Sequence, residues 1–432
     1  MTQKIGVIGA GPMGLACAYK LLKAGYAVEI FEADDRIGGM SASFDFDGMT
    51  IERYYHFICA PDQPLFDMLD ELGIKDKLRW RDTRQGYFFK GKLYRWGEPW
   101  ALLSFPHLNF IQKMRYALHV MYAKSISDWR KLDKISATEW LKKWLGEKTY
   151  MAMWHNLFYL KFFEYKDQLS AAWLGTRIQR VALSRKSLFT ESLGYLDGGS
   201  DAFLEAIEAK ILAMGGVIHL SSPVRRVVTE NGAVTGLQAG DTEFALSSLI
   251  STVPLPYVPR FAPDLPDEFK QRITAIENIG VVCVLFKLNQ PLTDNFWMNI
   301  QDDSIPVPGV IEYSNLNPLA HALVYVPFYM PKTHPDYGKP DADFIQRSAS
   351  YLKKINSAFD DSWILASKAS RYEFAQTVCP PGFFDMLPSL KTPLKGFYMA
   401  DTSYYYPEDR SISESIRVGY ELAATAQAHE VA

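Results

Sequence analysis

Two stretches carry residue types that could do chemistry. The first is Arg53-Tyr54-Tyr55-His56. A histidine titrates near neutral pH, so His56 can give or take a proton in a reaction. Arg53 can hold an anionic group. Both residues read equally well as hydrogen-bonded structural groups, because an ionisable residue in such a position is only sometimes functional. The second stretch is Gly9-Ala10-Gly11-Pro12-Met13-Gly14, a G-x-G-x-x-G pattern. Gly9 permits a tight turn, Gly11 lets backbone approach a pyrophosphate, and Gly14 allows a helix to pack closely on a strand.

Those glycines need a strand before them and a helix after them. Lys4 to Ile8 supplies a short apolar strand. Leu15, Ala18, Leu21 and Leu22 repeat at helical spacing, and Gly25 stops the helix. A second strand, Val28 to Phe31, ends at Glu32, whose carboxylate can accept both hydroxyls of an adenosine ribose and would repel a 2′-phosphate. The context makes a ligand-free glycine turn the weaker reading. Both NAD and FAD satisfy the pattern. The doublet Gly38-Gly39, just beyond the second strand, favours the longer FAD.

From Gly9 to Met40 the chain resembles the dinucleotide motif of the flavin amine oxidase, protoporphyrinogen oxidase and phytoene desaturase superfamily, to which the UDP-galactopyranose mutases are related. Lys395-Gly396-Phe397-Tyr398-Met399-Ala400-Asp401 resembles that superfamily's second FAD motif, a strand ending at an acid that binds a ribityl hydroxyl. The resemblance is concentrated at the two ends of the chain. It implies a cofactor set of Gly9, Gly11, Pro12, Met13, Gly14, Glu32, Ala33, Arg36, Gly38, Gly39 and Met40, with Val224 meeting adenine through its backbone and Asp401 on the ribityl chain. It also implies a closing helix, starting near Ser411 and Ile412, whose N-terminus points at the flavin; its dipole would stabilise the anionic reduced ring. Ser411 with Glu414 fits a capping box at that start.

The departures from the superfamily pattern are informative. Amine oxidases usually place a glycine-rich stretch beside the flavin where this chain has Arg53 to His56, so that stretch is a candidate active site, and Arg53 could there hold a substrate anion or stabilise reduced flavin. The mutases likewise keep a histidine in a loop next to the flavin. Amine oxidases often carry a lysine near the start of the strand that matches Ile279 to Leu288. Here that position is apolar, around Cys283, and Lys287 lies further on. The sequence around Cys379 does not match that of members with a covalent cysteinyl flavin, so non-covalent FAD is expected.

Composition sets outer bounds. With 432 residues, the chain is too long for one ordinary core, so intertwined domains are expected. A net charge of −3 offers no broad basic surface, which argues against a nucleic-acid partner. The four cysteines are scattered without a C-x-x-C pair, which supports neither a metal nor a thiol-redox centre and fits a reducing compartment. The first strand begins at residue 4, leaving no room for a signal peptide. No apolar run reaches membrane-spanning length. The expected location is therefore cytoplasmic, at most at the inner face of a membrane.

The rest of the chain supplies the surroundings of the site. Pro64 to Gly73 reads as an amphipathic helix, Gln85 to Trp96 as a hairpin turning at Lys90-Gly91, and Asn231-Gly232 as another hairpin turn. From Trp100 to Ser184 the pattern is mostly helical. Trp100, Leu102, Leu103, Phe105, Leu108, Phe110 and Ile111, followed by Lys113 and Arg115, read either as an interfacial patch resting on a membrane or, more commonly for such a run, as buried helix packing. Lys161 stands oddly inside the apolar run Phe158 to Phe163. Arg177, Arg180 and Arg185 form a basic cluster that could receive a substrate phosphate; a solvated helix face with ordinary ion pairs is the plainer reading for at least two of them. Tyr404, Tyr405 and Tyr406 could line a cavity or stack against the helical region.

The expected fold is thus α/β: a Rossmann-like FAD-binding domain of residues 1–84, 190–255 and 385–432, with a mixed β-sheet substrate domain of 85–189 and 256–384 and a helical insertion at about 100–184. The expected activity is FAD-dependent oxidoreduction, with a hydride passing between non-covalent FAD and an organic, small-molecule or lipid-linked substrate, of isoprenoid or glycolipid and nucleotide-sugar type. A non-redox sugar-nucleotide mutase and a non-catalytic flavoprotein remain as alternatives. The candidates for substrate handling are His56 and Arg53. Peripheral membrane contact is one expectation; the oligomeric state stays open.

Overall fold

The opening strand, Lys4–Ile8, buries every residue after Lys4, as a parallel strand covered on both faces must. It is the middle of a five-stranded sheet in the computed structural model, which describes residues 3–187 and 190–430. The spatial order is Val217–His219, Ala27–Phe31, Lys4–Ile8, Ser248–Ser251 and Phe397–Met399, all parallel. Chain order reverses on either side of the opening strand. A crevice therefore forms at the C-terminal ends of Ile8, Phe31 and Ser251, which is where open α/β sheets bind ligands.

Helix Pro12–Lys23 and the closing helix Ile412–Glu430 pack on each other with almost no side chain between them. A Cβ on Gly419 would lie 2.5 Å from the Met13 carbonyl oxygen. This contact brings the start of the last helix to the glycine-rich turn, across nearly the whole length of the chain.

A seven-stranded mixed sheet makes the second large layer of strands. Its order is Ile364–Thr377, Asn278–Leu288, Ala322–Met330, Gly309–Glu312, Trp297–Ile300, Gln85–Phe89 and Lys92–Trp96. Only Trp297–Ile300 and Gln85–Phe89 run parallel within it. The last two strands form the expected hairpin, with Lys90 and Gly91 at φ 50° and 71°, the left-handed pair of a type I′ turn. Asn231 and Gly232, at 50° and 75°, turn a second hairpin in the same way.

Residues 99–183 are mostly helical, a series of helices joined by short connections. Their core is dense: Trp129 lies so close to helix Ala171–Leu183 that a Cβ on Gly175 would sit 2.1 Å from its ring. The commoner reading of the apolar run beginning at Trp100 as buried packing is corrected here. Phe105 and Leu108 are buried, but Trp100, Phe110 and Ile111 are 68%, 70% and 69% exposed, and Met121 is 68% exposed. Helix Phe110–Ser125 presents its apolar residues outward because neighbouring helices cover only its His119 and Ala123 side.

Candidate active site

The glycine-rich turn is built as its spacing requires. Gly9 sits at φ 101°, and a Cβ on Gly14 would lie 2.0 Å from the Gly9 carbonyl oxygen. Around a Cβ on Gly11 there is nothing within 4 Å among the described residues, so this residue shows bare backbone to a cleft. Glu32 lines the same cleft and accepts the N–H groups of Ala10 (2.7 Å) and Asp34 (2.9 Å). The glycine doublet divides its work. Gly38 donates its N–H to the Ala10 carbonyl at 2.8 Å and packs under Ala42, bracing the turn, while Gly39 faces the cleft beside Gly11.

The cleft encloses about 380 Å³. Of the candidate cofactor residues it brings together Gly9, Gly11, Pro12, Met13, Glu32, Gly39, Met40, Asp401 and Ile412. Gly14 and Gly38 lie behind this wall as packing glycines. Ala33 and Arg36 are exposed outside it; Arg36 bonds Asp35 and the Ser43 carbonyl. Val224 begins a strand and is half-buried away from the cleft wall.

Asp401 is buried, which raises its carboxyl pKa. Its oxygens accept the N–H groups of Leu255 and Ser403, both at 2.9 Å. At the closing helix Ser411 Oγ accepts the Glu414 N–H at 3.1 Å. The expected capping box is only half formed, because the Glu414 carboxylate turns to Arg417 Nε at 2.6 Å. Next to it Ser413 Oγ is buried on the cleft with no hydrogen-bond partner among the described residues. An orphaned hydroxyl at a helix start, a bare Gly11 backbone and a ribose-type acid fit a dinucleotide with a polar ring system.

His56 reaches the cleft on the loop that leaves the hairpin Ser43–Phe46 and Met49–Glu52. Its Nδ1 is bonded to the carboxylate of Glu52. Glu52 is itself buried and fixed: one oxygen accepts the Ser200 N–H at 2.8 Å, and its carbonyl accepts the Tyr325 hydroxyl at 2.8 Å. A buried carboxylate on Nδ1 sets the tautomer and orientation of the ring and leaves Nε2 for proton exchange. The structure does not bring Arg53 with it. Arg53 is half-buried, outside the residues that line the cleft, whereas Tyr54, Tyr55, His56 and Phe57 all line it.

Aromatic rings also line the cleft. Tyr55 packs edge-on against Trp297 and Tyr325, with centroids 5.5 and 5.6 Å apart, and Tyr313, Tyr329 and Tyr372 continue the surface. The three C-terminal tyrosines split between both expected roles. Tyr405 lines the cleft, while Tyr406 bonds Ser170 and Asp133 in the helical region and Tyr404 bonds the Pro388 carbonyl.

The basic cluster differs from a solvated helix face. Arg180 is buried and grips both oxygens of Asp62, at 2.8 and 3.1 Å. Arg177 pairs with Asp409 at 2.8 Å and lies flat on Trp173, 3.6 Å from the ring centre. Arg185 is half-buried on a separate strand and does not line the cleft. Lys287 is buried against Asp47, with Nζ 2.7 Å from its carbonyl and 2.8 Å from its carboxylate, so it too stands away from the cleft; Val281 and Cys283 line the cleft from that strand. Cys379 is buried elsewhere.

Lys161 does reach the cleft. It touches cleft solvent yet is enclosed by protein, and burial, assisted by Arg410, brings its ammonium down to about 7 against the opposing pull of Asp409. Burial pushes the Asp409 carboxyl up, but Arg177, Lys161 and Arg410 together outweigh it and hold the group well below the usual range. Lys161 carried a signal in the sequence, a cation inside an aromatic run. Glu52, Asp409, Arg410 and Tyr329 carried none.

A family described as flavin containing amine oxidoreductase matches residues 14–408. The chain is 23% identical over 325 residues to a 15-cis-phytoene desaturase of Synechococcus elongatus, across 68% of this chain and 67% of that protein. It is 27% identical over 326 residues to a zeta-carotene desaturase of Arabidopsis thaliana, across 67% of this chain and 58% of that one. The fold is similar to that of an oxidoreductase from Methanosarcina mazei, with a TM-score of 0.76 at 18% identity, covering 98% of this chain and all of the other (100%).

Proposed function

The chain belongs to the flavin containing amine oxidoreductase family and is an FAD-dependent oxidoreductase, and from that premise we propose that it moves a hydride between non-covalently held FAD and a largely apolar organic substrate lying in the aromatic cleft. The observation that carries the reading is the single cleft shared by the glycine-rich turn, the closing-helix start, the His56–Glu52 pair and the aromatic wall. In this reading residues 1–84, 190–255 and 385–432 hold the cofactor and the remainder shapes the substrate side.

FAD, when bound, supplies the acceptor for an electron pair. Gly11 and the Pro12 helix start hold its pyrophosphate, Glu32 its ribose, and Asp401 and the Ile412 helix start its flavin end. Ser413 Oγ provides a further hydrogen bond there. His56 Nε2 takes up or returns the proton that accompanies dehydrogenation or reduction of the substrate, and Glu52 stabilises the imidazolium so formed. The aromatic walls exclude water and orient a long apolar body. The carotenoid-desaturase relatives support an isoprenoid-type substrate.

The test is anaerobic mixing of holoenzyme with phytoene-type polyenes and with polyprenyl-linked sugars, following loss of the flavin absorption band. His56→Ala is expected to slow that loss by ~10²-fold or more, the scale of one positioned acid–base group, with FAD content unchanged. Unchanged reduction in His56→Ala would remove the proton role.

No helix among the described residues is long and apolar enough to cross a membrane. The outward face of Trp100, Phe110, Ile111 and Met121, with Lys113 and Lys124 on the same helix as the last three, instead supports a peripheral lipid contact. Burying each such side chain is worth about 1.5–3 kcal/mol. Phe110→Ser with Ile111→Ser should therefore abolish co-sedimentation with anionic vesicles that the wild type shows. Equal recovery of both proteins in the supernatant would contradict the contact.

A further inference from the structure

We infer that the wall of the cleft formed by Lys161 and Arg410 holds an anionic group of the substrate, a carboxylate or a phosphate, while the aromatic surface takes its apolar body. This rests on the reading above that the cleft is the substrate cavity. It narrows the largely apolar substrate of that reading to one that also bears an anion, in preference to a protonated amine or a plain hydrocarbon such as an unsubstituted polyene.

The neighbouring carboxylates are already engaged by other cations. Asp62 is held by Arg180, Asp409 by Arg177, and Glu414 by Arg417. Lys161 and Arg410 line the cleft, and neither has a carboxylate within ion-pair distance among the described residues. They are linked through one side chain. Tyr329 puts its ring face 5.2 Å from Lys161 Nζ and its hydroxyl beside the Arg410 guanidinium. Trp173 and Phe162 add ring contacts to the lysine at 5.6 and 5.8 Å. Arg410 Nε is buried without a hydrogen-bond partner among the described residues.

Two cations sharing one tyrosine repel each other, and a buried guanidinium N–H left unpaired is costly. Ring faces hold a cation only weakly. One acceptor-only oxyanion between them would satisfy the orphaned Nε, offset the repulsion and favour the charged form of Lys161. A protonated amine in the same place would meet two like charges. A hydrocarbon would leave both cations desolvated, offset only in part by the Asp409 carboxylate, which lines the same cleft and is already paired with Arg177. The neutral aromatic wall beside them, Tyr55, Trp297 and Tyr313, suits the apolar remainder of the same molecule.

The experiment titrates purified holoenzyme with decanoate, decyl phosphate, decylamine and decanol, each below its micelle-forming concentration, following the flavin band and tryptophan fluorescence together. The expected result is saturable binding of one or both anions at least tenfold tighter than of decylamine and decanol; whichever anion binds tighter names the group. Lys161→Met and Arg410→Met should each lose at least tenfold of anion affinity and leave decanol binding in place, with Lys161→Arg and Arg410→Lys restoring most of it. Preference for decylamine, or anion binding unchanged in both Met variants, would overturn the inference. So would a shift of flavin reduction potential in those variants without loss of anion binding, which would assign the two cations to the cofactor. The same samples separate the two claims: protein without a flavin band contradicts the proposed function, whereas flavin-loaded protein without anion preference contradicts only this inference.

Discussion

Gly14→Ala is expected to yield protein with less than about a tenth of the wild-type flavin content, since overpacking of this size typically costs 1–3 kcal/mol or more and falls directly on the cofactor turn. The added Cβ would stand 2.0 Å from the Gly9 carbonyl oxygen and 2.9 Å from Thr252 Oγ1. The first of these is backbone, so no rotamer change relieves it. Helix Pro12–Lys23 would have to move off the turn. That helix is also locked to the closing helix, where a Cβ on Gly419 would lie 2.5 Å from the Met13 carbonyl oxygen. A shift at Gly14 therefore disturbs both helix starts that face the cleft. Gly11→Ala is the matching control. Its Cβ meets nothing within 4 Å and its φ of −72° suits any residue, so the fold and melting temperature should stay near wild type while FAD affinity falls. The check is flavin-to-protein absorbance ratio together with thermal unfolding. Full flavin content in Gly14→Ala would contradict the packing argument.

The second large effect is expected from Asp62→Ala, at about 3–5 kcal/mol of stability, the usual result of leaving one member of a buried ion pair alone. Arg180 is only 8% exposed, and Asp62 is 6% exposed, so water cannot replace the lost carboxylate. The substitution also removes the acceptor of the Cys59 N–H, bonded at 2.8 Å. It would free a positive charge beside the cleft and unfasten helix Ala171–Leu183 from the segment that carries His56. Asp62→Asn keeps an acceptor for Cys59 and loses the charge, so it should fall between the two. Urea unfolding measures both, and a loss below about 1 kcal/mol in Asp62→Ala would show that the pair is not the clasp between these parts.

What could be read in the chain beforehand was what is local in it. The strand, glycine turn, helix and acid from Lys4 to Glu32 form one contiguous unit, each residue type explained by its immediate neighbours, and the structure has them in place. The same holds for the turns at Lys90-Gly91 and Asn231-Gly232, where left-handed φ values demand those residues. Helix Gln63–Leu72 begins one residue before its expected start and ends at Gly73 in the left-handed conformation.

What was not legible depends on partners remote in the chain. Arg177 and Arg180 share a helix face, which alone suggests solvent; their burial follows from Asp409 and Asp62, brought from opposite ends of the sequence. His56 could be singled out by type, but its pairing with Glu52 needs the strand to end where it does and Ser200 to fix the other oxygen. Lys161 looked odd in its run, yet the cleft it enters is completed by Arg410 and Tyr329. Trp100, Phe110 and Ile111 have the pattern of a buried face, and pattern does not say whether another element comes to cover it.

Whether this cleft holds FAD non-covalently for redox chemistry is decided by denaturing the purified protein, passing it through a filter that retains the chain, and identifying any flavin in the filtrate. The expected result is a yellow protein whose filtrate contains close to one FAD per chain and whose band bleaches on anaerobic reduction before denaturation. A colourless protein, a filtrate carrying NAD in place of FAD, or flavin retained with the denatured chain would contradict it.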